Sequence, residues 1–402
     1  MTRTLDVDLT DPELYTEGFP HGVFTGLRQR GPVHLHPPIE GRLGIAPIPF
    51  WSIVTHAEIQ QANRDWKTFA ACDGPMIAPD PLMSTGRTLL TLDPPEQTVM
   101  RRIISSEFTP RMIGTLEQRL TDRTARILES VVGSNCDFVR DIAYQVPMNL
   151  IADIIGIPED DRSWVFERTD HLLKSGDPYG IYSEEDRLGF QAELFEYAQR
   201  ITADKRANPA DDVWTKLANQ LDGFELEMFF LILSIAGSET TRNALTMGLI
   251  ALLDNPHQLA ELRGNPDLSR TAADEILRWS SPVLIFGRTA TRDTTIGGQD
   301  VRSGDRVVFW HPSGNRDELV FDDPFRFDIH RSPNPHLAFG GGGVHYCLGA
   351  NLAHKEIRVV LESIAAGYDV ELAGPAVWTG AGPVHNVGIG IDSLPVQVTP
   401  RN

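Results

Sequence analysis

The chain has 402 residues and a formal net charge of −19, from 36 Lys and Arg against 55 Asp and Glu. That balance argues against a nucleic-acid partner and an anionic membrane surface, both of which need clustered cations, and fits apolar or neutral substrates better. Its cysteines, Cys72, Cys136 and Cys347, are odd in number and far apart, so they suggest no disulfide framework and point to a reducing cytoplasm.

No Pro/Ser/Gly-rich linker divides the sequence, and residues 1–402 read as a single domain. The amino terminus is polar without a secretory h-region, and the longest apolar run, 228–235, falls well short of the ~20 residues of a membrane span. No membrane anchor is expected. Hydrophobic periodicity and capping residues predict helices over 11–29, 57–62, 95–107, 110–132, 147–155, 160–173, 183–205, 211–220, 225–255, 256–263, 269–279 and 349–366. Strand patterns, each bounded by Gly, Pro, Asp or Asn, cover 33–35, 50–55, 289–296, 305–310 and 388–398. The expected fold class is mainly α with small antiparallel β-sheets.

The stretch Phe230 to Thr241 is apolar on every side and then abruptly polar at Ser238-Glu239-Thr240-Thr241, inside one long helix. A helix greasy all round is buried, so the polar interruption needs a reason. Ala236 and Gly237 leave flat space, Glu239 and Thr240 place an acid beside an alcohol, and a mid-helix threonine can bond back four residues, open the helix and admit water. A glycine kink with a solvated glutamate is an equal reading of these residues alone. Glu275 and Arg278 stand three apart on one helix turn, a weak signal by itself, with Arg331 downstream to complete a buried charge network.

The run Phe339-Gly340-Gly341-Gly342-Gly343-Val344-His345-Tyr346-Cys347-Leu348-Gly349 carries the most information. Four glycines let a backbone bend and approach a flat group closely. The cysteine after them stands where a loop enters a helix, so backbone N–H groups favour its thiolate. Taken alone, a buried structural thiol in a tight turn would be the better reading, and a dinucleotide or phosphate loop is a poorer one, because no Gly-Lys-Ser/Thr follows and no strand-to-GxGxxG spacing is present.

Taken together, these elements resemble the cytochrome P-450 family, from about residue 11 to the carboxyl end. The resemblance implies the cytochrome P-450 fold, a haem b cofactor and Cys347 as its thiolate ligand to iron. It further implies Ala236, Gly237, Glu239 and Thr240 on the oxygen side, with Thr240 and Glu239 catalytic, and Glu275, Arg278 and Arg331 as a structural cluster. Gln97, Arg101, Arg288, Phe339, His345 and Gly349 are the other residues expected to hold the cofactor. Two positions depart from the family pattern. Gln97 stands where bacterial members usually have a histidine, bringing a hydrogen bond without charge. Phe339 lies one residue farther from the cysteine than is common, as in members acting on sterol side chains and methyl-branched lipids.

By the same resemblance, the substrate pocket would draw on Met76, Ile77, Leu82, Met83, Ile232, Ala236, Val283, Leu284, Ile285 and Val387, each of which could equally be core packing. No flavin or nicotinamide motif is present, so a ferredoxin and its reductase are the expected electron donors. Arg102, Arg111, Lys355 and Arg358 are candidates to dock them, or a solvated face. The implied activity is hydroxylation of a steroid, terpenoid or branched lipid with O2. Alternatives are an aromatic or natural-product substrate, a peroxide-driven peroxygenase, and a haem-thiolate binding protein without turnover. The acid–alcohol pair disfavours the last two.

Overall fold

The computed structural model describes residues 2–38, 48–78, 88–105, 108–175, 182–210, 212–379, 383 and 388–401. Its organising element is the helix Gly223–Asp254, started by a capping box in which Asp222 and Glu225 satisfy each other's backbone N–H groups. Because this helix is apolar on all sides, it runs through the middle of the large core. Helices Gln145–Ile155, Glu184–Ala207, Ser269–Ser280 and Ala350–Gly367 pack around it. Gly237 and Gly248 are the points of closest approach. A Cβ on Gly237 would lie 2.7 Å from Ile151, and one on Gly248 would lie 2.8 Å from Ile276.

Two smaller cores lie against a five-stranded sheet in the order Val33–His36, Phe50–Ile53, Arg306–Trp310, Ile285–Ala290, Phe69–Ala70. Its pairings are antiparallel except for Phe50–Ile53 with Arg306–Trp310. The remaining described sheets are antiparallel, the largest joining Asn135–Asp137, Pro395–Pro400 and Tyr368–Leu372.

Most expected elements are present, with shifted ends. The single helix over 11–29 is instead a short 3-10 turn, Pro12–Tyr15, and a helix, His21–Arg30. Between them Gly18 adopts φ 100° and Pro20 precedes the new helix, so neither continues a helical ladder. The strand over 289–296 separates into Ile285–Ala290 and Thr294–Ile296, which belong to different sheets. The strand over 388–398 likewise becomes Ile391–Ser393 and Pro395–Pro400. A π-helical turn, Val139–Ala143, and the short strand Phe69–Ala70 have no counterpart in the sequence reading. Pairing with the strand Ile285–Ala290 forms Phe69–Ala70 against weak local preference.

Candidate active site

One cavity of about 240 Å³ lies between the long helix, the strand Ile285–Ala290 and the segment from Ala338 to Ala353. Cys347 faces it. The sulfur has accessible surface, but that surface opens onto the cavity inside the protein. The glycines before it adopt φ values of 90°, 66°, 105° and 85°, which side-chain-bearing residues rarely take up. At Gly343 the reason is also steric, since a Cβ would sit 2.7 Å from the Asn63 carbonyl oxygen. The Cys347 N–H donates to the Phe339 carbonyl at 3.1 Å, closing the loop on itself. Gly343→Ala is expected to combine left-handed strain of about 1–2 kcal/mol with this clash. Urea unfolding should show a lower midpoint, and a variant with unchanged midpoint and haem content would contradict that role for the loop.

Burial pushes the Cys347 thiol up, while the Gly349 N–H and the Arg101 guanidinium pull it back. A coordinating metal ion removes the proton outright. Arg101 reaches the loop from the other side, donating to the Tyr346 carbonyl at 2.7 Å.

The strand's two-residue period explains which of its side chains reach the cavity. Phe286 and Arg288 share one face and line it, whereas Ile285 points into the core behind. Arg288 donates to the Gly287 carbonyl at 2.8 Å and lies over the Phe286 and Phe309 rings. Burial lowers its pKa to about 10. Beside it His311 lines the same cavity, and neither of its ring nitrogens has a hydrogen-bond partner. Burial, then the Arg288 charge, lowers the His311 pKa to about 3. His345 also lines the cavity, its Nε2 3.0 Å from an Asp93 carboxylate oxygen.

This donor set fits haem b. A thiol opens onto a mostly apolar space, glycine backbone leaves room for a flat ring, and Arg101, Arg288, His311 and His345 offer cations or N–H donors suited to two carboxylates.

The long helix brings Ile232, Ala236, Gly237 and Thr240 to the cavity. Thr240 bonds back to the Ala236 carbonyl at 2.8 Å, yet the helix continues unbroken instead of opening there. Glu239 is buried but does not line the cavity, because at about 100° per residue it falls off the helix face shared by Leu233, Ala236, Gly237 and Thr240. Gln97 is also outside the lining, and its amide donates to the Val344 carbonyl at 2.7 Å. It thus ties its helix to the cysteine loop.

Of the expected pocket residues, Ile232, Ala236 and Val283 line the cavity. Leu284 and Ile285 pack into the second core instead, as does Ile77. The physical reason for Met76 and Ile77 is Arg306, which gathers the Gly74, Met76 and Ile77 carbonyls around its guanidinium and holds that loop against the sheet. Leu82, Met83 and Val387 lie outside the described residues. Leu89, Phe229, Leu233, Phe286, His311 and Glu356 line the cavity and were not anticipated. Phe286 and Glu356 were accessible by simple spacing, two residues before Arg288 and nine after Cys347. Glu356 is fully buried beside Thr241, and burial raises its pKa to about 8.

Glu275, Arg278 and Arg331 do meet. Arg278 donates to both carboxylate oxygens of Glu275 at 2.7 and 2.8 Å, and Arg331 adds a third contact at 3.2 Å.

Fold and site together define a haem-thiolate protein. A family model described as Cytochrome P450 matches residues 205–379. Cytochrome P450 126 of Mycobacterium tuberculosis is 40% identical over 391 residues, covering 93% of this chain and 94% of its own. A steroid C26-monooxygenase of Mycolicibacterium smegmatis is 37% identical, with 90% and 87% covered. A methyl-branched lipid omega-hydroxylase of Mycobacterium bovis is 36% identical, with 85% and 83% covered. Among solved structures, a Mycobacterium marinum cytochrome P450 in complex with pseudoionone aligns with a TM-score of 0.90 at 33% identity, covering 99% of both chains. The chain belongs to the cytochrome P450 family, and its activity is that of a haem b monooxygenase. Among the described residues, no helix is long and apolar enough to cross a membrane.

Proposed function

We propose that this single-domain enzyme hydroxylates a steroid, terpenoid or methyl-branched lipid at an unactivated carbon, with electrons from a ferredoxin and its reductase in the cytoplasm. The observation that carries the substrate class is the lining of the cavity by Phe229, Ile232, Leu233, Val283 and Phe286, uncharged side chains that bind by burial. The names of the steroid and branched-lipid relatives support it. At about 25 cal/mol per Å² of apolar surface, a sterol-sized ligand needs no ion pair for micromolar affinity.

The overall balance is R–H + O2 + 2 electrons + 2 protons giving R–OH + H2O. Haem b, when bound, supplies the reduction of O2 and the attack on the C–H bond. In this proposal Cys347 ligates its iron, and Arg101, Arg288 and His345 hold its carboxylates. The chain's further contribution is positional. Phe229, Ile232, Leu233 and Phe286 exclude water from the substrate. Thr240 presents a hydroxyl to the cavity and would hold a water or O2 there by hydrogen bonding. Glu239, one residue away and buried, would feed protons towards it. Of the four basic residues considered for partner docking, Lys355 pairs with Glu117 and Arg358 with Glu362. Arg102 and Arg111 are exposed and are the better contacts for an acidic ferredoxin.

Two measurements test this reading. Sterols, terpenoids, branched fatty acids and aromatic acids are screened for a low-spin to high-spin shift of the haem spectrum, followed by product analysis with O2 and a ferredoxin system. A response confined to aromatic acids would reject the substrate class. Thr240→Ala is expected to bind substrate normally but divert electrons to peroxide, because positioned proton delivery contributes about 10²–10⁴-fold. Unchanged product per NAD(P)H would remove Thr240 from the mechanism.

A further inference from the structure

We propose that Asp274, His336 and His354 form a binding site for a zinc-class divalent cation, beside the cysteine loop and outside the cavity. Asp274 comes from the helix Ser269–Ser280, His336 from the segment leading to Phe339, and His354 from the helix Ala350–Gly367. One oxygen of Asp274 lies 3.5 Å from His336 Nε2 and 3.3 Å from His354 Nε2. These are edge lengths of a tetrahedron around zinc, since metal–ligand bonds of 2.0–2.2 Å place neighbouring ligands ~3.3–3.5 Å apart. All three ligand atoms lie within 4.8 Å of one another. The remaining edge, between the two histidines, is at most 4.8 Å, and the His354 ring, 30% exposed, is the side chain that would turn to shorten it.

The donor set selects the metal. Two imidazoles and one carboxylate suit zinc, nickel or copper, whereas magnesium and calcium prefer oxygen alone. His336 is nearly enclosed at 7% exposure, while Asp274 is 33% exposed, so the fourth position opens to water. His336 Nδ1 now faces the Ala338 N–H at 3.3 Å. Coordination through Nε2 requires a proton on Nδ1, so this long contact would be given up on binding.

The site matters because of what it grips. The Phe339 ring, whose backbone carbonyl anchors Cys347, lies 5.6 Å from the His336 ring and 5.3 Å from the His354 ring. A cation joining the three segments would brace the outer side of the loop and add positive charge there.

The test uses full-length, untagged, haem-loaded protein and ZnCl2. Isothermal titration is expected to show one saturable site, and zinc at a hundred times its dissociation constant should raise the melting temperature by roughly 2–5 °C. His354→Gln and Asp274→Asn should each weaken that site by at least about 10–100-fold, the effect of losing an outer-shell partner alone. Crystals soaked in zinc should show anomalous density between the three side chains, a readout independent of whether the variants fold. Absence of saturable binding, affinity unchanged in His354→Gln, or zinc density only at other histidines would overturn the proposal.

Discussion

Replacing Cys347 with alanine is expected to abolish the thiolate-type absorption of the reduced, CO-bound protein and all O2-dependent product formation. The side chain is the only cysteine sulfur lining the cavity among the described residues. Thiolate ligation is what favours O–O cleavage in this class, so a substitute ligand cannot preserve the reaction. Loss of the side chain also leaves a space in the loop that Arg101 braces through the Tyr346 carbonyl. Cys347→Ser keeps the size and separates these effects, since a retained fold with an altered spectrum isolates ligation. Cys72, exposed, and Cys136, in the core away from the cavity, serve as controls, and their alanine variants should keep the spectrum. A thiolate-type spectrum surviving in Cys347→Ser would refute the assignment of the iron ligand.

The second large effect is expected on stability. Glu275 and Arg278 are both 0% exposed, and Glu275 accepts in addition from Arg331, Asn334 and the Asp328 N–H. Arg278 uses its remaining donors on the Asn315, Pro324 and Arg326 carbonyls. Glu275 thus binds the helix Ser269–Ser280 to the segment that leads to the cysteine loop. Glu275→Ala leaves a buried guanidinium without its counter-charge, and breaking such a pair costs about 3–5 kcal/mol. Against a total of roughly 5–15 kcal/mol, this is a large share, so the unfolding midpoint and the yield of haem-bearing protein should both fall. Urea unfolding and haem content per chain measure this. Replacing the cluster with well-packed apolar residues could be neutral, so only the single substitution tests the network. A Glu275→Ala protein with an unchanged unfolding midpoint would show the network to be dispensable.

How much was legible beforehand depends on the range of the interaction involved. Helix boundaries around Gly223–Asp254 were close because Asp222, Glu225 and the Asn255-Pro256 pair act within one turn. The cysteine loop was legible because positive φ demands glycine whatever the surroundings. The charge cluster was legible in part, since Glu275 and Arg278 share a helix turn while Arg331 is brought to them by the fold. The first long helix was over-read because the apolar pattern continues through Gly18 and Pro20, where the backbone cannot follow it.

The pocket was the least legible part. The family resemblance placed Met76, Ile77, Leu284 and Ile285 in the substrate pocket, but only geometry assigns a side chain to one face. Arg306 holds the carbonyls of the 74–77 loop, and the strand's alternation sends Ile285 to the core while Phe286 and Arg288 reach the cavity. His311 could not be singled out in advance, because a buried polar residue becomes informative only when its partners, or their absence, are known. By itself, the sequence determined the helical class, the glycine-cradled thiol and the acid–alcohol step in an apolar helix, since each follows from local backbone and solvation rules. Only the tertiary structure decided which side chains face the cavity and which groups converge from distant segments. Those outcomes depend on packing and on hydrogen bonds between residues hundreds of positions apart, such as Gln97 with Val344, which no local pattern encodes.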